Sequence, residues 1–300
     1  MKTETDAYEN VRCGSDRPRP VLLVLMLLSC LVPVAPPARG ATAGSEVLRT
    51  GSYWRYYIAW RTETVREASG DMKVLDAKPG KKAEVRSSAP PPANWAAPEF
   101  DDSSWARTRG PLPAASGEMS LICLRGRFRV DNPAAAGKLR LSLEVLGGAV
   151  VYLNGREIAR KGMPDGEIKP DTPAADYPEE AYLDPDGFLY RNSWGDPGRY
   201  KERLRSRVRG LRDVKVPVSA LRKGVNVLAV EIHRAPVSPL LLTKKTRDAA
   251  REAWRGRSHY WWSRLGFRSL SLAGGGATPN VSRPAGLQVW NHPICQRVRV

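Results

Sequence analysis

KLRLSLEVLGGAVVYLNGREIAR, residues Lys138 to Arg160, is the stretch on which the fold turns. Leu139, Leu141, Leu143 and Val145 alternate with Arg140, Ser142 and Glu144, the period of a strand that buries one face. Gly147-Gly148 interrupts the run, and Val150 to Leu153 begins a second strand. Asn154-Gly155 then supplies the pair of φ > 0 residues that a two-residue type I′ hairpin needs, and Arg156 to Arg160 returns. Far downstream, Leu221 to Arg234 reads LRKGVNVLAVEIHR. A turn at Lys223-Gly224 precedes Val225, Val227 and Ala229 on one face and Leu228, Val230 and Ile232 on the other. Strands this far apart in sequence share a core only by long-range pairing. The pattern therefore predicts a sandwich rather than a meander.

The rest of the chain supplies further strands. Trp54, Tyr56, Ile58 and Trp60 fall at every second position within Val47 to Arg66, which reads as an opening strand. Residues 76–94 form a polar, Pro-rich loop or tether. Trp95 and Trp105 flank Asp101-Asp102-Ser103-Ser104, residues suited to a turn whose side chains satisfy backbone amides. Arg125 to Val130 is a strand with Phe128 and Val130 inward, and Leu265 to Leu272 is the last strand. Residues 161–210 are a long polar excursion punctuated by Pro164-Asp-Gly166, Asp184-Pro-Asp-Gly187 and Gly195-Asp-Pro-Gly198, and are expected to be functional or lid-like. Thr243 to Arg257 has the composition of a short helix. The expected fold is an all-β sandwich of about eight strands, large enough to bury a core without disulfides.

Composition narrows the function. The net charge is +17 over 300 residues. Arg17 and Arg19 precede an apolar run from Val21 to Val34, and the small-residue segment PPARGATAG follows, the order of a secretory signal ending near Ala43. The run is too short to span a bilayer, which takes about 20 apolar residues. Leu27-Leu28-Ser29-Cys30 loosely matches a lipobox, so a membrane anchor is expected only if Cys30 is lipidated. Export separates the chain from cytoplasmic nucleic acid. The Arg-rich Lys201 to Arg212 segment is therefore read as part of a chain-wide arginine bias rather than a specific nucleic-acid site. Cys123 and Cys295 lie in no metal-ligand spacing, and Cys123 reads as a buried free thiol.

No nucleophile, phosphate-loop, dinucleotide or zinc-protease motif is present, and no catalytic residue is assigned. Glu231 and His233, two apart on one strand, share the face opposite Val230 and Ile232. They are expected to face solvent or to pair with a loop. Nothing fixes a second carboxylate at the separation of about 5–9.5 Å that glycoside hydrolysis uses. Asp184-Pro-Asp-Gly187 offers oxygen ligands in a turn but lacks the 12-residue calcium-loop pattern; no cofactor is expected beyond a possible structural calcium ion. Sugar recognition needs aromatic faces for pyranose rings and polar groups for hydroxyls. The candidates are Tyr190, Asn192 and Trp194 in the excursion, His259, Trp261 and Trp262 before the last strand, and the Glu231/His233 pair.

Four segments in order carry a family likeness: Trp95 with Phe100-Asp-Asp-Ser-Ser-Trp105, Arg127-Phe-Arg-Val130, Val151-Tyr-Leu-Asn-Gly-Arg-Glu157 and Leu221 to Val230. Together they resemble the galactose-binding-like jelly-roll domain at the front of family-2 glycoside hydrolases and of large exported planctomycete-type proteins. The resemblance covers residues 95–273. With the leader at 1–43 and the lead strand and linker at 44–94 read above, the expected organisation is completed by the sandwich at 95–273 and a tail at 274–300. Arg283 to Asn291 resembles the start of the next region in those larger proteins, and the chain stops nine residues later, as a truncated or frameshifted reading frame would. The implied role is a non-catalytic, exported accessory module for carbohydrate or cell-envelope polysaccharide, working beside a hydrolase-like region. Two other readings fit the residues: a structural domain packed on that missing region, and a basic polyanion or envelope binder.

Overall fold

The structure is a computed structural model and describes residues 46–75, 87–114, 116–136, 138–190, 205–244, 264–274 and 281–282. Two antiparallel sheets face each other. The smaller is ordered β1 (Glu46–Arg49), β13 (Gly266–Gly274), β8 (Leu139–Leu146), β11 (Arg209–Lys215), with β6 (Leu112–Pro113) also on β13. The larger is ordered β10 (Arg156–Lys161), β9 (Gly148–Leu153), β12 (Gly224–His233), β7 (Met119–Val130), β2 (Tyr53–Trp60), β5 (Ala106–Arg109), with β14 (Val281–Ser282) on β7. A small ribbon of β3 (Thr64–Arg66) and β4 (Met72–Val74) stands apart from both sheets.

The expected core is present. Leu139, Leu141, Leu143 and Val145 of β8 meet Leu228, Val230 and Ile232 of β12 in one buried cluster, each in a different sheet. Trp54 is completely buried in the same cluster, and Tyr56, Ile58 and Trp60 pack against it, as their spacing requires. Asn154 (φ 53°) and Gly155 (φ 82°) make the hairpin with Leu153 paired to Arg156. The Asn154 side chain does more than turn the chain. Its Nδ2 donates to Asn226 Oδ1 and to the Ala220 carbonyl, and its Oδ1 accepts from Val227 N, fastening the hairpin to the start of β12.

Gly147, at φ 90°, is where the chain leaves the small sheet and enters the large one. A Cβ there would run into the His233 carbonyl oxygen. Gly147 N donates to the Tyr177 hydroxyl at 2.6 Å, and Arg209 Nη1 reaches the Gly147 carbonyl at 3.2 Å. The sheet switch is thus held by residues of the long excursion.

Several expectations need correction. The opening segment is not one strand: β1 joins the small sheet, and β2 joins the large one after a turn through Ser52. Among the described residues, β1 and β2 already belong to the two sheets, ahead of the expected start of the sandwich at Trp95. β7 begins at Met119, six residues before the strand expected at Arg125, because residues 119–126 are buried on both faces and show no alternation. The described part of the excursion is no lid. Ala174, Tyr177, Tyr182, Leu189 and Tyr190 join Val237 and Leu241 in a second apolar cluster. Of the expected helix, only a turn at Leu240–Thr243 is described, just ahead of it, and residues 245–263 lie outside the described residues. The leader, Cys30, Cys295 and the tail beyond 282 also lie outside them, and no described helix is long and apolar enough to cross a membrane.

Candidate functional site

The outward face of the large sheet is covered by the chain itself. Trp95 and Trp105 stack at 5.9 Å between centroids, Tyr57 and Phe100 pack on Trp105, and Tyr152 meets Trp95 edge-on. With Leu121, Cys123, Val227 and Ala229 they form a third buried cluster.

Arg125 fastens this cover. Its side chain is fully buried, its Nη1 donates to the carbonyls of Trp95 and Ala97, and its Nε donates to Asp102 Oδ2 at 2.7 Å. Asp102 Oδ1 accepts from Arg127 Nη2 at 2.8 Å, and Arg55 lies at 3.8 Å. Asp101 makes the expected turn, accepting from Ser103 N and Oγ, which holds its carboxyl below the usual range. Asp102 is instead a buried anion between three guanidiniums. Burial lowers the Arg125 pKa, and the Asp102 hydrogen bond opposes that shift. Sequence reasoning missed both residues as a pair. The available signal was Arg125 on the face of β7 opposite Phe128, directly after an apolar run.

Glu231 and His233 do share a face, but they are 4% and 1% exposed rather than open to solvent. His233 Nδ1 lies 2.8 Å from the Thr172 carbonyl; that oxygen only accepts, so Nδ1 carries the hydrogen. Nε2 faces Glu231 Oε1 at 3.3 Å, and the Tyr152 hydroxyl donates to Glu231 Oε2 at 2.9 Å. Burial, then the Glu231 charge, pushes the Tyr152 pKa far above the ordinary phenol value. The loop that His233 grips belongs to the excursion, so the loop-pairing expectation holds and the solvent-facing one does not. Tyr190 is 1% exposed inside the second cluster, where no ring face is available to a sugar. Asn192, Trp194, His259, Trp261 and Trp262 lie outside the described residues.

Asp184 Oδ1 accepts from Asp186 N and Phe188 N, so the Asp-Pro-Asp-Gly turn is closed by its own amides. Among the described residues no group of three His, Cys, Asp or Glu side chains is placed to hold a metal. Cys123 is buried and free, and burial next to Glu231 raises its thiol pKa well above the ordinary value.

An open site remains beside this network. A cleft of about 240 Å³ lies between the end of β2, the β3–β4 ribbon, the 170–173 loop and the residues after β12. Arg61, Thr64, Ser87, Asp171 and Thr172 are among its polar lining residues, and Met72 is among the apolar ones. Arg234 also lines it, but its guanidinium is committed: it donates to the carbonyls of Arg61, Thr62 and Gly117. Burial, then the nearby Arg264 charge, lowers the Arg234 pKa to about 10, with Glu63 opposing. Arg264 in turn ion-pairs with the buried Glu63 and donates to the Ala235 carbonyl. These bonds tie the residues after β12 to the end of β2 beneath the cleft.

No family model matches this chain, and no curated protein matches it. Solved structures similar to it include a family-2 glycosyl hydrolase from Bacteroides cellulosilyticus (13% identity over 62% of this chain and 17% of that one, TM-score 0.30). A Bacteroides uniformis beta-glucuronidase gives 12% identity, 76% and 18% coverage and a TM-score of 0.34. An uncultured Clostridium beta-glucuronidase gives 13%, 78% and 30%, and 0.33. The chain spans less than a third of each of these proteins. At such TM-scores the likeness assigns no activity.

Proposed function

We propose that this chain is a non-catalytic, exported accessory module that binds carbohydrate beside a polysaccharide-processing region. The observation that carries the non-catalytic part is the state of the acids. Asp102 over the large sheet and Glu231 on it are enclosed, and Asp171 is the one carboxylate among the described residues lining the cleft, where glycoside hydrolysis uses two. Asp102 is enclosed by three arginines, and Glu231 is enclosed by Tyr152 and His233, so neither is within reach of a substrate. A general acid or base must come within about 2.6–3.2 Å of the proton it moves. The support for carbohydrate is the cleft at the end of β2. Its volume suits one sugar ring, and it sets hydroxyl and charged side chains against an apolar wall.

The test is a glycan array probed with the purified full chain, alongside release of p-nitrophenol from model glycosides. Binding to a defined glycan class with no hydrolysis is expected. A flat array would reduce the chain to a structural domain, and turnover of any glycoside would overturn the non-catalytic reading.

A further inference from the structure

We infer that the cleft at the end of β2 recognises an acidic sugar, a hexuronate unit of a polysaccharide, with Arg61 as the group that reads its carboxylate. This rests on the carbohydrate-binding reading above and names its site and ligand class. Three observations carry it.

The first is the difference between the two guanidiniums of the cleft. Arg234 spends its donors on three backbone carbonyls, whereas the Arg61 guanidinium has no hydrogen bond or ion pair among the described residues. Arg61 is nevertheless held in place. Its backbone N donates to the Glu118 carbonyl, its own carbonyl accepts from Arg234, and it bridges Ser87. A planar fork on a fixed backbone is suited to accept a carboxylate through two parallel hydrogen bonds.

The second observation is the company it keeps. Asp171, exposed and lining the same cleft, also has no hydrogen bond or ion pair among the described residues. It can accept from ring hydroxyls. Thr64 and Ser87 offer further hydroxyls, and Met72 offers a surface for the C–H face of a ring. One uncommitted cation, one anion and an apolar wall match a pyranose that carries both hydroxyls and a carboxylate. A DNA phosphodiester fits less well, since it would meet Arg61 but bring few ring hydroxyls for Asp171 to accept from.

The third is the sign of the surroundings. Two arginines line the cleft against one aspartate, and the chain carries a net charge of +17, so an anionic polymer is drawn toward it at moderate salt.

The experiment is titration of the full chain, near physiological salt, with α1,4-linked tetragalacturonate, with maltotetraose as a neutral tetrasaccharide of the same linkage, and with single-stranded DNA. Tetragalacturonate is expected to bind and maltotetraose to bind much more weakly. Arg61→Gln is expected to lower tetragalacturonate affinity by about 10- to 100-fold, the effect of one charged hydrogen-bonding group. Arg61→Lys, which keeps the charge and loses the fork, is expected to fall in between. The urea midpoint of each variant should match wild type, because the backbone bonds of residue 61 are untouched. Equal binding of the neutral tetrasaccharide, an unchanged Arg61→Gln affinity, or DNA binding as tight as that of tetragalacturonate would overturn the inference. If the glycan array is positive while Arg61→Gln is silent, the accessory-module reading survives alone; if no glycan binds at all, both fall.

Discussion

Asp102 shows how much one side chain can hold. Replacing it with Ala would leave Arg125 buried without its anion, while Arg125 still grips the Trp95 and Ala97 carbonyls. Removing one member of a buried charged pair costs about 3–5 kcal/mol. Asp102→Ala should therefore lower stability by that amount, read as a shift of the urea midpoint, whereas Asp101→Ala, on an exposed turn, should cost well under half as much. Equal effects would mean that the arginines are solvated in solution. None of this was legible from Asp101-Asp102 alone. A turn motif announces itself locally, but an ionic hub depends on Arg55, Arg125 and Arg127 arriving from two other strands.

At the scale of elements, the excursion after β10 acts as a clamp on the sheet switch. Tyr177 accepts from Gly147 N, Arg209 lies over the Tyr177 ring at 4.2 Å, and the same guanidinium donates to the Ala175 and Asp176 carbonyls. Tyr177→Phe leaves the buried Gly147 N–H without its acceptor, a loss of about 1–3 kcal/mol. Hydrogen exchange at Gly147 should accelerate in that variant; unchanged protection would show that the corner holds itself. The strands themselves differ in how plainly the sequence declares them. The Asn154-Gly155 turn is declared by its residue pair rather than by alternation, whereas β8 alternates cleanly, because its second face is only partly covered. β7 and β12 do not, because the 95–105 cover and the excursion bury their outer faces and remove the polar beat. Glu231 and His233 looked solvent-facing for the same reason: the residues that cover them come from elsewhere in the chain.

For the molecule as a whole, the buried acids that stay neutral predict a weakness at alkaline pH. Burial raises the Cys123 thiol and the Tyr152, Tyr177 and Tyr182 phenols above their ordinary values. The unfolded chain releases those protons at about pH 9 for the thiol and about pH 10 for the phenols, while the folded chain retains them. Above about pH 9 the folded state thus binds more protons than the unfolded one, and stability falls as pH rises. Arg207 and Arg234, both lowered to about 10, begin to work in the opposite sense as the pH approaches that value, later than the thiol does. The urea midpoint should therefore drop between pH 8 and pH 10, and the Cys123 thiol should resist alkylation until the chain is denatured. A midpoint that is flat or rising over this interval would contradict the buried placement of these groups.

The pairing of β1 with β13 bears on mechanics. Glu46 sits opposite Ala273 and Arg49 opposite Ser271, so the start of β1 and the end of β13 meet side by side at the same rim. Tension applied through the segments flanking them would peel the two strands apart one hydrogen bond at a time instead of shearing all of them together. Whatever is tethered on either side, the sandwich would give way at that seam under modest force, while the β7–β12 pair at its centre remained zipped.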